Sequence, residues 1–308
     1  YKALKLLSKK IMYENRKLAL NYLNEAMSIA EMYKDTIEIA AINHLMGLTY
    51  RHWGFSYAAA EYFQQSYILS EKIGRKDVSG FDLLSIGNVY YDLKKWQEAE
   101  LYYRKALQLF ENKDDLPGIA VSFNNIGLVY QESDQPDSAL LYFNKGLEFR
   151  RKQKDSTLIG HSFWYISTAY VDLNKFNLGL YFANLSESYF REYYSEIKNP
   201  DIKHIPLAIN YFKGKLFQQN DKSDSALHYW NKAIELGHLT PDLTSYYYAA
   251  YREIAKLKTE QGKSEEALIL LKEAIQKASE THFNEEMEKL YLQTADLLEK
   301  MGNYSESA

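Results

Sequence analysis

The chain has 308 residues, 46% apolar and 25% charged, with a formal net charge of −4. That is the balance of a folded protein longer than one compact core, and its acidic side argues against a surface held to nucleic acid by phosphate neutralisation. The absence of cysteine excludes disulfides and thiolate chemistry without assigning a compartment, and no run of 18 apolar residues is present to cross a membrane. In chain order, the first landmarks are Ala19 and Tyr22, which recur as Ala59 and Tyr62, Ala99 and Tyr102, and Ala139 and Tyr142. Between them, Gly47 and Tyr50 recur as Gly87 and Tyr90, then Gly127 and Tyr130, with Tyr170 one step on. Ala40, Gly80, Ala120 and Gly160 keep the same 40-residue step. The clearest unit predicts two helices. Leu83, Ile86, Gly87 and Tyr90 fall on one face of the first, a polar break follows at 92–95, and Ala99, Tyr103 and Ala106 line the second. Small residues at 87 and 99 are expected where the two helices cross closely.

Farther on, the pattern loosens. The fifth unit carries Ser167, Gly179 and Ala183 where glycine, alanine and a large residue stand elsewhere. Extra chain at about 193–206 contains Pro200 and Pro206 and predicts a longer loop with a bend. Gly214, Phe217, Ala226, Trp230 and Ala233 mark the next unit; Ile254, Ala255, Gly262, Ala267, Leu271 and Ala274 mark the one after. The count is seven full units and the start of an eighth at about Lys289. Residues 1–308 are expected to form a single array, and one belonging to a longer protein, since Tyr1 is no initiator and the last face lacks a polar cap.

The order Leu83-x-x-Ile86-Gly87-x-x-Tyr90, then Ala99-x-x-x-Tyr103-x-x-Ala106, resembles the tetratricopeptide repeat signature. Phe123, Ile126, Gly127, Tyr130, Ala139, Phe143 and Gly146 repeat it, and Met46, Gly47, Tyr50, Ala59 and Phe63 precede it. The unit is longer than the usual roughly 34 residues, similar to extended repeats in bacterial regulatory proteins. The resemblance implies an all-α fold, a right-handed α-solenoid of tandem helix-turn-helix units. It also implies a non-catalytic scaffold holding a peptide or protein partner in a concave groove, as the sensing module of a bacterial signalling or transcription regulator. A stand-alone assembly adaptor or co-chaperone is the alternative.

A search for chemistry is negative. No glycine-x-glycine loop is present to cradle phosphate, and no histidine has a histidine partner at the i+3 or i+4 spacing of a helical zinc pair. No catalytic residue, metal or cofactor is expected. The 28 tyrosines fall mostly on repeat-defining positions and read as seam fillers, and Arg150, Arg151, Lys152 and Lys154 read as a solvated helix C-terminus.

Function is expected on the flank of each first helix that packing leaves free, one residue beyond the core stripe. That flank contains Asn88 and Tyr91, Asn124 and Gln131, Trp164, Tyr211 and Lys215, then Arg252 and Lys256, with Asn125 beside it. Asn88, Asn124 and Asn125 form an expected amide cluster for a peptide backbone; inter-repeat hydrogen bonding is the other reading. Trp164 reads equally as an aromatic anchor or a seam residue. Lys215, Arg252 and Lys256 form an expected positive cluster for acidic side chains or a terminal carboxylate. The Asn88 and Asn125 spacing is similar to the asparagine pair of the family's chaperone-tail clamp, but Leu84, His161 and Tyr165 stand where its cations would be.

Overall fold

The computed structural model describes residues 1–13, 15–154, 156–193, 205–238, 245–281 and 284–302. Among them every regular element is an α-helix, and the chain divides into two compact units. The first unit, Tyr1–Asp155, contains α1 (Lys2–Ile11), α2 (Arg16–Met32), α3 (Thr36–His52), α4 (Ser56–Lys72), α5 (Lys76–Asp92), α6 (Trp96–Glu111), α7 (Leu116–Glu132) and α8 (Pro136–Gln153). The second, Ser156–Ala308, contains α9 (Ser156–Asp172), α10 (Phe176–Tyr193), α11 (Ile205–Gln219), α12 (Ser223–His238), α13 (Ser245–Glu260), α14 (Ser264–Thr281) and α15 (Asn284–Lys300).

A punctuation mark ends helix after helix. Lys34, Gly54, Gly74, Lys94, Asp114, Asp134, Lys154 and Asn174, spaced 20 residues apart, all have positive φ. At most of these turns the next residue's N–H reaches back over the helix end: Phe55 to the Tyr50 carbonyl at 2.9 Å, Lys95 to Tyr90 at 2.9 Å, Gln135 to Tyr130 at 2.9 Å. This left-handed cap satisfies a terminal carbonyl and reverses the chain in three residues. A 17-residue helix plus such a turn is half of the 40-residue repeat. Asn15, Asp35 and Asp115 start helices by accepting a backbone N–H from Leu18, Glu38 and Gly118.

In four of the hairpins a glycine receives an aromatic ring from 16 residues later. A Cβ on Gly47 would stand 2.6 Å from Phe63, on Gly87 2.5 Å from Tyr103, on Gly127 2.5 Å from Phe143, and on Gly214 it would overlap Trp230. A second ladder joins residues 12 apart. Tyr50 stacks on Tyr62 and Tyr130 on Tyr142 with centroids 5.2 Å apart, Tyr90 on Tyr102 at 5.3 Å, and Phe217 on Tyr229 at 5.2 Å. The tyrosine ladder is therefore packing, as the spacing predicts. The irregular fifth unit crosses differently: the Ser167 hydroxyl donates to the Gly179 carbonyl at 2.9 Å, and Gly179 lies against Leu216.

Every helix packs on its successor within a unit. Odd-numbered helices also touch one another directly, α1 with α3, α3 with α5 and α5 with α7, then α9 with α11, α11 with α13 and α13 with α15. The odd helices thus form one face of each unit. The eighth repeat begins at Asn284, five residues before the expected Lys289. Pro206 sits in the first turn of α11 rather than in a loop, a position that tolerates proline. Pro200 and the rest of 194–204 lie outside the described residues, as do 303–308.

Candidate functional site

In the first unit, the structure brings Asn88 of α5 and Asn125 of α7 together on the odd-helix face. The Asn125 Nδ2 donates to the Asn88 Oδ1 at 3.5 Å, and the Tyr103 hydroxyl of α6 donates to the same oxygen at 2.8 Å. Tyr103 is buried and reaches Asn88 because Gly87, one residue earlier, has no side chain in its path. Asn88 is thus held from below, and both amides remain partly exposed. The Asn88 NH₂ and the Asn125 carbonyl oxygen have no partner among the described residues. The pair therefore presents one donor group and one acceptor. Tyr91, partly exposed, meets Trp96 edge-on at 5.2 Å, and Gln131 is partly exposed on α7.

Asn124 does not join them. It is 2% exposed, and its amide lies where a Cβ on Gly146 of α8 would be. Successive helical residues are about 100° apart, so Asn125 faces α5 while Asn124 enters the α7–α8 hairpin. The amide cluster is a pair, not a trio.

Between α1, α3 and α5 lies a cleft of about 470 Å³ that the sequence reading missed. Lys2, Lys5, Leu6 and Lys9 of α1 form one wall and Phe81 of α5 belongs to the other. His44 of α3 sits in it, its Nδ1 2.7 Å from the fully buried Asp82 carboxylate. Asp82 also accepts from Ser66 at 2.9 Å and Ser70 at 3.4 Å. The sequence signal for the lysines was their i, i+3, i+7 spacing, but α1 carries none of the glycine or tyrosine landmarks that set the register.

In the second unit, Trp164 and Tyr211 are buried rather than presented. Trp164 stacks on His161 at 5.3 Å and meets Tyr246 edge-on at 6.2 Å; Tyr211 packs on Tyr246 at 5.5 Å. Burial pushes the Tyr211 hydroxyl well above the usual tyrosine range. Of the two readings of Trp164, the seam is the one this placement fits. The three cations have unequal surroundings. Lys215 is partly exposed with its Nζ 5.8 Å from the Phe212 ring centroid. Arg252 is paired at 3.3 Å with Glu286, which is buried and also accepts from Lys289 at 2.8 Å. Lys256 is exposed and borders a cleft of about 490 Å³ where Glu253, Glu260 and Asp296 balance Arg252, Lys256 and Lys300. That is a mixed surface, not the expected uniform positive patch.

Among the described residues no group of three or more His, Asp or Glu side chains gathers as metal ligands would, and no helix is long and apolar enough to cross a membrane.

Residues 82–152, from α5 through α8, match the tetratricopeptide repeat family. No curated protein matches the sequence. The fold is that of several solved structures. Aspartyl phosphate phosphatase F from Bacillus subtilis superposes with a TM-score of 0.68 at 16% identity, covering 89% of this chain and 68% of that one. The apo form of RapI gives 0.65 at 16% identity, covering 94% and 99%. NprR in complex with its cognate peptide NprX gives 0.60 at 16% identity, covering 99% and 85%.

Proposed function

We propose that this chain, a tetratricopeptide repeat protein, holds a peptide on its odd-helix face and serves as the sensing module of a bacterial signalling or transcription regulator, with no catalysis of its own. The observation that carries the reading is the Asn88–Asn125 pair. One amide donor and one amide acceptor, side by side and partly exposed, match the C=O and N–H of an extended peptide whatever its side chains. The Tyr103 bond fixes the pair before any ligand arrives, which lowers the ordering cost of binding. NprR, of the same fold, takes a cognate peptide, which supports a peptide as the occupant here. Tyr91 and Gln131 extend the site along α5 and α7.

The test is selection from a random-peptide library followed by calorimetry. Asn125→Ala leaves the Tyr103–Asn88 bond intact, so the variant should melt like the parent yet bind about 1–2 kcal/mol more weakly, with unchanged salt dependence. Selected peptides that bind this variant as tightly as the parent would place the ligand elsewhere.

A further inference from the structure

We infer that the cleft between α1, α3 and α5 is a second subsite that takes an acidic stretch of peptide around one apolar side chain. The inference rests on the peptide-binding reading above and moves the acid-recognising end from the second unit to the first. Three observations carry it.

The first is charge. Lys2, Lys5 and Lys9 line one wall, while two acids that reach residues of the cleft, Glu38 and Asp82, are already engaged. Glu38 is paired with Lys5, and the buried Asp82 is occupied by His44, Ser66 and Ser70. Lys2 and Lys9 are exposed and form no ion pair among the described residues. A positive cleft on a chain with net charge −4 selects and steers an anionic partner. The contrast with the second unit is direct, since Arg252 and Lys256 have acidic neighbours.

The second is apolar surface. Leu6 is 59% exposed and Phe81 43% exposed, and both border the cleft over a floor that includes Leu45. Lysines alone would suit any polyanion; two exposed apolar side chains between them favour a peptide with an apolar residue among its acids.

The third is spacing. Lys2 and Lys9 are seven residues apart on α1, about 10 Å along the axis at roughly 1.5 Å per residue. Two acids three residues apart in an extended peptide span about the same length, and lysine stems are long enough to absorb the alternation of faces.

The experiment uses the full chain and a fluorescein-labelled octapeptide with two aspartates three residues apart around a leucine. Counterparts carry lysine for both aspartates, or serine for the leucine. Fluorescence anisotropy should show the acidic leucine peptide binding at least tenfold tighter than the lysine peptide. Lys2→Glu combined with Lys9→Glu should weaken it at least tenfold and flatten its salt dependence. Leu6→Ser should weaken the leucine peptide several-fold and leave the serine peptide unchanged. Each of these positions is exposed, so a melting temperature equal to the parent's confirms that folding is intact. The inference is overturned if the octapeptide fails to bind, if the lysine peptide binds as well, or if the double charge reversal has no effect. Asn88→Ala with Asn125→Ala separates the two readings. Loss in that variant alone leaves the backbone reading standing and removes this subsite; loss in the lysine variant alone does the reverse.

Discussion

Gly87 links packing to recognition through one ring. The hairpin closes by driving Tyr103 over the bare Cα of Gly87, and the same ring ends in the hydroxyl that holds Asn88. A methyl at 87 would force Tyr103 aside, so Gly87→Ala should cost about 1–3 kcal/mol in urea denaturation and also loosen Asn88, weakening peptide binding. Gly127→Ala is the control: it meets Phe143, which has no hydroxyl and serves no asparagine, so it should cost similar stability with little effect on affinity. Equal binding losses in both variants would disconnect the ring from the site. The small residues at 47, 87 and 127 were readable in the sequence because their 40-residue spacing repeats. The asparagines were less so. Asn124 and Asn125 are adjacent in sequence, and only the rotation of α7 sends one to Gly146 and the other to Asn88.

At the level of elements, α10, α11 and α12 are joined by an ion pair that a repeat pattern does not announce. Lys213 of α11 is 2% exposed and pairs with Glu187 of α10, which Lys232 of α12 also reaches at 3.3 Å. Burial by itself would raise the Glu187 carboxyl. The hydrogen bond and charge of Lys213, with help from Lys232, outweigh it and hold the group below the ordinary 4.5. A carboxyl so depressed contributes stability that is complete above its unfolded value and is lost as pH falls through the folded one. Urea midpoints should therefore drop from about pH 4.5 downward, and the drop should be smaller in Glu187→Gln. That variant leaves a buried ammonium without its partner at about 3 kcal/mol, the low end because Glu187 keeps some solvent contact; adding Lys213→Met should recover most of it. A Glu187→Gln variant as stable as the parent at neutral pH would show that Lys213 finds other compensation. The capture of Arg252 was hidden for a related reason. Its partner Glu286 sits in α15, two helices on and three residues before Lys289, where the repeat pattern places the start of the eighth unit.

On the scale of the whole molecule, each unit is a series of hairpins in which a helix owes its buried face to its neighbours. The architecture was legible because the same steps, glycine to aromatic at 16 residues and tyrosine to tyrosine at 12, recur from repeat to repeat. Charges were not, because they follow neighbours in space rather than the repeat. Such an array behaves as a sum of repeats and nearest-neighbour interfaces, so damage at one interface should travel. Ala99 of α6 is fully buried, as is Ala139 of α8. Ala99→Glu would place an unpaired charge at the α5–α6 crossing and overpack it, costing about 3–5 kcal/mol. Hydrogen exchange on the full chain reads where that loss goes. If interfaces carry the stability, amides of α4, α5 and α7 should lose protection together with α6, because each packs on an element that no longer closes. Amides of α11 to α14 report the second unit in the same sample. Loss confined to α6 would mean that each hairpin stands by itself, and a face built from several odd helices would then have no common scaffold to keep Asn88 and Asn125 in register.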